Sequence, residues 1–180
     1  QLNLTTDQVG KLFAGKVSNW KELDPSLPDL PVTVAHRADG SGTTAIFTTY
    51  LTENAKDFHL KAGKSVKWEG NTVGGKGNAG VAAMVSKVKG AVGYVEYAFA
   101  KQNDLTTTTL NGIAPSADTF KSGDWAITAQ TFIIVYPDGK NTKEVYKFFE
   151  WCYNNDHIAE ELDYVPLSDK TKNESRKLWH

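Results

Sequence analysis

The stretch that most constrains this chain is residues 32–44, Val-Thr-Val-Ala-His-Arg-Ala-Asp-Gly-Ser-Gly-Thr-Thr. Its first half is rich in β-branched residues and predicts a strand, whereas the two closely spaced glycines predict a tight turn. Ser41 is suited to capping a helix that begins directly after it. The stretch therefore predicts a strand, a turn and a helix in direct succession.

The start of that helix is a candidate anion-binding site. Backbone N–H groups in the first turn of a helix lack intrahelical acceptors, so residues 42–44 would offer donors at the positive end of the helix dipole. Gly40 also lets the backbone approach an anion closely. Arg37 adds a forked charge suited to a tetrahedral oxyanion, and Asp39 is near enough to hold it. These residues predict capture of a phosphate-like anion.

The same residues also have a purely structural interpretation. Ser-Gly-Thr at a strand-to-helix turn is a common N-cap, and pairs such as Arg37 and Asp39 are common on protein surfaces. Spacing alone favours anion binding only slightly over this alternative.

Four segments of the chain match one known family. They are residues 37–43 (RADGSGT), 72–83 (TVGGKGNAGVAA), 90–98 (GAVGYVEYA), and 127–128 (IT) followed by 131–134 (TFII). These segments resemble the phosphate-binding proteins of bacterial phosphate ABC transporters, the PstS family, and the resemblance extends in one order from about Leu2 to Trp179.

The resemblance implies both a fold and a function. The fold would be α/β and like the type II periplasmic binding proteins, and the function would be the high-affinity phosphate-binding component of an ABC importer. In the family, the residues matching Arg37, Ser41, Gly42 and Thr43 contact phosphate, and the residue matching Asp39 supports the arginine. The implied partners are inorganic phosphate and a membrane permease, and the implied location is the periplasm or the outer face of the cytoplasmic membrane.

The resemblance also implies a division of the chain. Residues 1–125 would form the second lobe, which carries the phosphate loop and a mainly parallel sheet, and residues 126–180 would return to the first lobe. Family members carry a further segment ahead of the position where this chain begins, which supplies the other side of the site, and no part of this sequence matches it.

The C-terminal residues look incomplete by themselves. Residues 131–136 are apolar on both faces, as in a strand with neighbours on both sides. Asn141 or Thr142 is suited to capping a helix that follows, with one apolar stripe formed by Val145, Phe148, Phe149 and Cys152. Burying one Phe or Ile side chain contributes roughly 1.5–3 kcal/mol. We therefore expect residues 126–180 to pack on the missing segment, on another copy of the chain or on a rearranged surface.

A second glycine-rich segment resembles a nucleotide-binding loop. Residues 70–76 have two glycines separated by four residues and then a lysine, but Gly77 stands where a nucleotide loop needs Ser or Thr for magnesium. A structural interpretation is favoured, in which the glycines form a tight loop and Asn78 caps the helix that follows. A role for this loop near the anion is the weaker alternative.

Local signals place two further helices. Thr5 and Gln8 form a capping box ahead of a helix that should bury Val9, Leu12 and Phe13. Ser168 is suited to capping the last helix. Residues 106–125 show only weak periodicity and predict a connecting segment.

Composition narrows the classes of function. The net charge of −1 gives no electrostatic case for binding nucleic acid or an anionic membrane. The four histidines have no metal-like spacing, the lone Cys152 excludes an internal disulfide, and no motif calls for a metal or cofactor. The chain is therefore not predicted to be an enzyme. The alternative is a phosphatase or phosphotransferase that uses the same loop.

Overall fold

A computed structural model describes residues 2–179. The chain divides into two units, residues 1–128 and residues 129–180, and each is described here by itself.

The first unit alternates short strands with helices. Its elements are β1 (Asn3–Leu4), α1 (Thr6–Phe13), a 3₁₀ turn (Trp20–Glu22), β2 (Thr33–Arg37), α2 (Gly42–Asn54), β3 (Thr72–Gly75), α3 (Gly77–Lys87), β4 (Ala91–Gly93), α4 (Tyr97–Gln102), β5 (Thr109–Leu110) and α5 (Ala117–Ser122). The predicted connecting segment, residues 106–125, thus contains a strand and a helix that its weak periodicity did not reveal.

The sheet around β2 confirms the predicted α/β fold. Strand β2 lies between β3 and β4 and is parallel to both. In the register of this sheet Arg37 pairs with Gly75 of β3. Strands β1 and β5 form a second parallel pair. Because ligands bind at the carboxyl ends of parallel strands, this topology places residues 37–43 where a binding loop belongs.

Helices α1 and α2 contribute to one apolar core together with β2. The predicted capping box of Thr5 and Gln8 is present at the start of α1. Val9, Leu12 and Phe13 are buried as expected, and the Phe13 ring meets Phe47 of α2 edge-on at 4.7 Å between centroids. The core therefore fixes the position of α2, whose first residues form the candidate site.

The second glycine-rich segment has a packing role, as the structural interpretation predicted. A Cβ atom on Gly75 would lie 2.3 Å from the carbonyl carbon of Gly80, so β3 and α3 approach closely only without side chains. The predicted cap is wrong in one respect. Helix α3 begins at Gly77 with Lys76 as N-cap, so Asn78 lies inside the first turn and cannot cap it.

Up to Trp179, the last residue that the structure describes, the second unit forms three helices. They are α6 (Thr142–Tyr153), α7 (Asp156–Glu161) and α8 (Asp169–Arg176). Ser168 caps α8 as predicted, with its hydroxyl accepting from the Thr171 amide at 3.2 Å. The side chain of Arg176 binds Glu150 through Nε and Nη2, both at 2.9 Å, which ties α8 to α6.

The strand predicted over residues 131–136 does not form. These residues have no regular secondary structure, and Phe132 and Ile134 are 81% and 96% exposed. A strand needs a hydrogen-bonding neighbour, and within residues 2–179 no strand pairs with this segment. Six of the exposed large hydrophobic side chains of this unit are here called the C-terminal apolar surface: Phe132, Ile133, Ile134, Tyr136, Phe148 and Trp151.

Over the same described range, none of the helices combines the length and the apolar character that crossing a bilayer requires.

Candidate functional site

The predicted helix cap is present at the start of α2. Ser41 has extended backbone geometry, and its hydroxyl accepts a hydrogen bond from the Thr44 amide at 3.2 Å. The Ser41 amide itself donates to the carbonyl oxygen of Lys64 at 2.9 Å. The prediction that the Thr44 amide is free is therefore wrong, because the capping hydroxyl occupies it.

Two amides of the first turn remain available. Among the residues that the structure describes, the N–H groups of Gly42 and Thr43 have no acceptor. Gly42 is exposed, and a Cβ at its position would have nothing within 4 Å. These two donors therefore lie without an acceptor at the positive end of a helix of 13 residues.

The guanidinium of Arg37 is fixed by a carboxylate. Its Nε donates to Asp39 Oδ1 at 2.8 Å and its Nη2 donates to Asp39 Oδ2 at 2.6 Å. Its Nη1 donates to Asn78 Oδ1 at 3.5 Å, the long end of the range. A guanidinium has five N–H bonds, so these contacts leave one on each terminal nitrogen. The side chain of Arg37 is only 13% exposed, so this pair of donors is held in place.

Asp39 is held by both glycine-rich loops. Besides its two bonds to Arg37, Oδ1 accepts from the Gly77 amide at 3.0 Å. Because these donors stabilise the carboxylate, chiefly the Arg37 hydrogen bonds, the pKa of Asp39 lies well below its usual range. The same pairing raises the pKa of Arg37. The sequence prediction that Asp39 supports Arg37 thus matches the geometry, and the second loop joins that support.

This lowered pKa makes the stability of the protein depend on pH. The carboxylate of Asp39 stabilises the folded state fully above the ordinary aspartate pKa of about 4, and protonation removes that contribution as the pH falls below it. We expect Asp39→Asn to flatten this part of the profile. Between pH 6 and pH 3 the free energy of unfolding in urea should fall less for the variant than for the unmodified protein. Asp138→Asn, at an exposed aspartate outside the site, is the control, and equal pH dependence in all three proteins would contradict the prediction.

Sequence reasoning missed Tyr94. Its hydroxyl accepts from the Arg37 amide at 3.2 Å and lies 2.6 Å from Thr44 Oγ1. Burial raises the pKa of this phenol. Tyr94 lies in segment 90–98, which resembles the family, but no local pattern shows that a residue after β4 reaches both ends of the loop after β2.

His36 lies in β2 next to Arg37 and has local partners. Its Nδ1 lies 3.0 Å from the carbonyl oxygen of Arg37, and its ring stacks on Trp68 at 5.4 Å between centroids. Within residues 2–179 no three His, Cys, Asp or Glu side chains are grouped so that they could hold a metal ion.

Comparison with known proteins assigns the chain to a family. Residues 1–156 match the model of the PBP superfamily domain. The chain belongs to this superfamily.

Sequence comparison shows which proteins of this superfamily the chain is similar to. The chain is 36% identical over 222 residues to the phosphate-binding protein PstS of Pasteurella multocida, a match that covers 99% of this chain and 64% of that protein. It is 37% identical over 221 residues to PstS of Haemophilus influenzae, covering 99% of this chain and 66% of that protein. The chain therefore spans slightly less than two thirds of the length of these relatives. The predicted resemblance to the PstS family is confirmed.

Solved structures confirm the fold. A high-affinity periplasmic phosphate-binding protein, PfluDING, solved with phosphate bound, aligns with a TM-score of 0.77 at 20% identity, covering 98% of this chain and 65% of that one. A phosphate ABC transporter substrate-binding protein from Clostridium perfringens, also with bound phosphate, aligns with a TM-score of 0.75 at 20% identity, covering 92% and 63%. The type II periplasmic-binding-protein fold is thus confirmed, while the contacts of individual residues with phosphate stay a prediction.

Proposed function

We propose that this chain binds inorganic phosphate as part of the solute-binding component of an ABC phosphate importer. The observation that carries the proposal is the set of unoccupied donors between the end of β2 and the first turn of α2. The amides of Gly42 and Thr43 have no acceptor among the described residues, and Arg37, five residues before Gly42, keeps one N–H on each terminal nitrogen. Such donors suit an oxyanion with several acceptor oxygens.

Each predicted site residue has a definite part in this proposal. Arg37 supplies the charge and two forked donors, and Asp39 fixes its orientation. The hydroxyl of Ser41 accepts from the Thr44 amide, so its own hydrogen is left to donate to phosphate. Gly42 and Thr43 supply backbone amides, and the Thr43 hydroxyl adds a further donor.

The proposal includes a second lobe. We assign residues 1–125 to the lobe that carries the phosphate loop and residues 126–180 to the segment that returns to the other lobe. The support for a partner of residues 126–180 is the C-terminal apolar surface, where Phe132 is 81% and Phe148 is 56% exposed. The occupant we propose is a polypeptide segment like the part of the PstS relatives that lies outside the match, and this segment would also cover phosphate from the other side.

The partners and the location follow from the relatives. The matched proteins are named phosphate-binding proteins, and the solved neighbours include a phosphate ABC transporter substrate-binding protein and a periplasmic phosphate-binding protein. By this likeness we place the protein in the periplasm, or tethered to the outer face of the cytoplasmic membrane, where it would deliver phosphate to a membrane permease. The names of the relatives favour binding over phosphatase or phosphotransferase activity.

Titration with inorganic phosphate tests the proposal. A cradle that covers one side of the anion should bind it with a Kd of about 1 mM, which corresponds to about −4 kcal/mol. Nuclear magnetic resonance should show the amide signals of Gly42 and Thr43 shifting together along one saturation curve, while the amide of Lys89, at the opposite edge of the sheet, stays in place. Amides of the loop that do not respond to tens of millimolar phosphate would refute the site. Micromolar binding by this chain alone would refute the need for a second lobe.

A further inference from the structure

We propose that Tyr94 is a positioning residue for phosphate binding, whose hydroxyl pins the end of β2 to the start of α2. The inference rests on the proposed function, because it concerns the shape of the same loop. Tyr94 itself need not touch phosphate.

The first bond of the hydroxyl replaces a missing sheet partner. Strand β4 pairs with β2 only as far as Ala35 and Gly93, so on this side of β2 the Arg37 amide lies beyond the last paired residue. The Tyr94 hydroxyl accepts from this amide at 3.2 Å. It therefore holds the backbone from which the guanidinium of Arg37 extends.

The second bond reaches the first turn of α2. Thr44 Oγ1 lies 2.6 Å from the same hydroxyl, and Thr44 is only 1% exposed. Thr44 directly follows the two residues whose amides are available to an anion. One phenolic oxygen thus sets the distance between the arginine end of the site and the amide end, and a shift at this point would misplace donors that must converge on one ligand.

The ring of Tyr94 is held independently of its hydroxyl. It stacks on Phe47 at 4.7 Å between centroids with an angle of 23°, and the residue is 8% exposed. Tyr94→Phe should therefore keep the ring in place and remove only the two bonds. The variant separates the positioning role from the packing role.

The chain offers a matched control. The Tyr50 hydroxyl lies 2.9 Å from Thr6 Oγ1, so it forms the same kind of Tyr–Thr pair in the same unit. No residue of segment 37–43, which carries the candidate site, takes part in that pair. Tyr50→Phe should lower stability to a similar extent and leave phosphate affinity unchanged.

The test compares Tyr94→Phe, Tyr50→Phe and the double variant Thr44→Val/Tyr94→Phe by phosphate titration and by unfolding in urea. Loss of the Tyr94 hydroxyl should raise the Kd for phosphate about tenfold, the equivalent of one hydrogen bond. Replacing both partners of a buried pair by apolar groups is nearly neutral for stability. The double variant should therefore regain stability while its Kd stays raised, since the Arg37 amide still has no acceptor. Affinity that recovers together with stability would overturn the inference.

Hydrogen exchange of the free protein tests, without phosphate, whether the Tyr94 hydroxyl holds the Arg37 amide. In the free protein the Arg37 amide should exchange about tenfold faster or more in Tyr94→Phe, whereas the Ala35 amide, which lies inside the paired sheet, should keep its rate. Unchanged exchange at Arg37 would overturn the inference. If the unmodified chain fails to bind phosphate, the proposed function fails, and the exchange rates still answer whether Tyr94 pins the loop.

Discussion

Arg37→Ala is expected to weaken phosphate binding by at least about 100-fold, because each hydrogen bond to a charged group contributes about 1.5–3 kcal/mol and the substitution removes two of them. It also removes the only guanidinium that the described part of the site contains. The measurement is calorimetric titration with inorganic phosphate, using the unmodified chain as reference. Where the affinity is too low for calorimetry, the shift of the Gly42 amide signal in nuclear magnetic resonance gives the Kd.

Two further variants make this result specific. Arg37→Lys keeps the charge but loses the fork, so its affinity should fall between those of the unmodified chain and Arg37→Ala. Arg176→Ala removes another carboxylate-bound arginine, the partner of Glu150, and should leave phosphate affinity unchanged. Equal affinity in Arg37→Ala and the unmodified chain would show that amides alone hold the anion, and the proposed role of the guanidinium would be wrong.

Features set by neighbouring residues could be predicted from the sequence. The capping box of Thr5 and Gln8 and the cap at Ser41 depend on residues three positions apart, which adopt the expected geometry whatever surrounds them. The pairing of Arg37 with Asp39 is equally local. The alternation of strands and helices then leads to a parallel sheet, because a parallel pair needs a crossing helix between its strands.

Features that join distant parts of the chain could not be predicted in this way. The sequence predicts Asn78 as the cap of α3, but the helix begins one residue before it, and the side chain contacts Arg37 instead. The Ser41 amide is taken by Lys64, and the Arg37 amide by Tyr94, 57 positions along the chain. Nothing in the local pattern of either residue specifies these partners, because they depend on how strands and loops meet in three dimensions.

The conformation of residues 131–136 could not be predicted from the sequence either. Their apolar pattern is typical of a buried strand, yet Ile134 is 96% exposed and no strand among residues 2–179 pairs with them. Strand propensity expresses how well side chains fit a pleated surface with neighbours, so without neighbours it does not produce a strand. The apolar pattern of residues 131–136 thus predicts that this segment requires neighbouring strands, and it does not predict that such strands are present.

We expect a second segment of polypeptide to supply the neighbours that residues 131–136 lack. We also expect it to raise the affinity for phosphate strongly. A chimera would join this chain to the unmatched part of the Pasteurella multocida PstS, the protein to which the chain is 36% identical. We expect the Kd for phosphate to fall from about 1 mM to about 1 µM, a gain of about 4 kcal/mol. Two or three added hydrogen bonds to the anion account for such a gain.

The C-terminal apolar surface provides the matched control for this experiment. Phe132→Ser and Phe148→Ser change side chains that are 81% and 56% exposed, so both should leave the free energy of unfolding of the unfused chain nearly unchanged. In the chimera the same two substitutions would place polar groups in a buried contact and should remove most of the gain in affinity. Since a second lobe can cover phosphate only when it is docked, a chimera that binds no better than the single chain, or that tolerates both serines, would refute the assignment of residues 126–180 to that lobe.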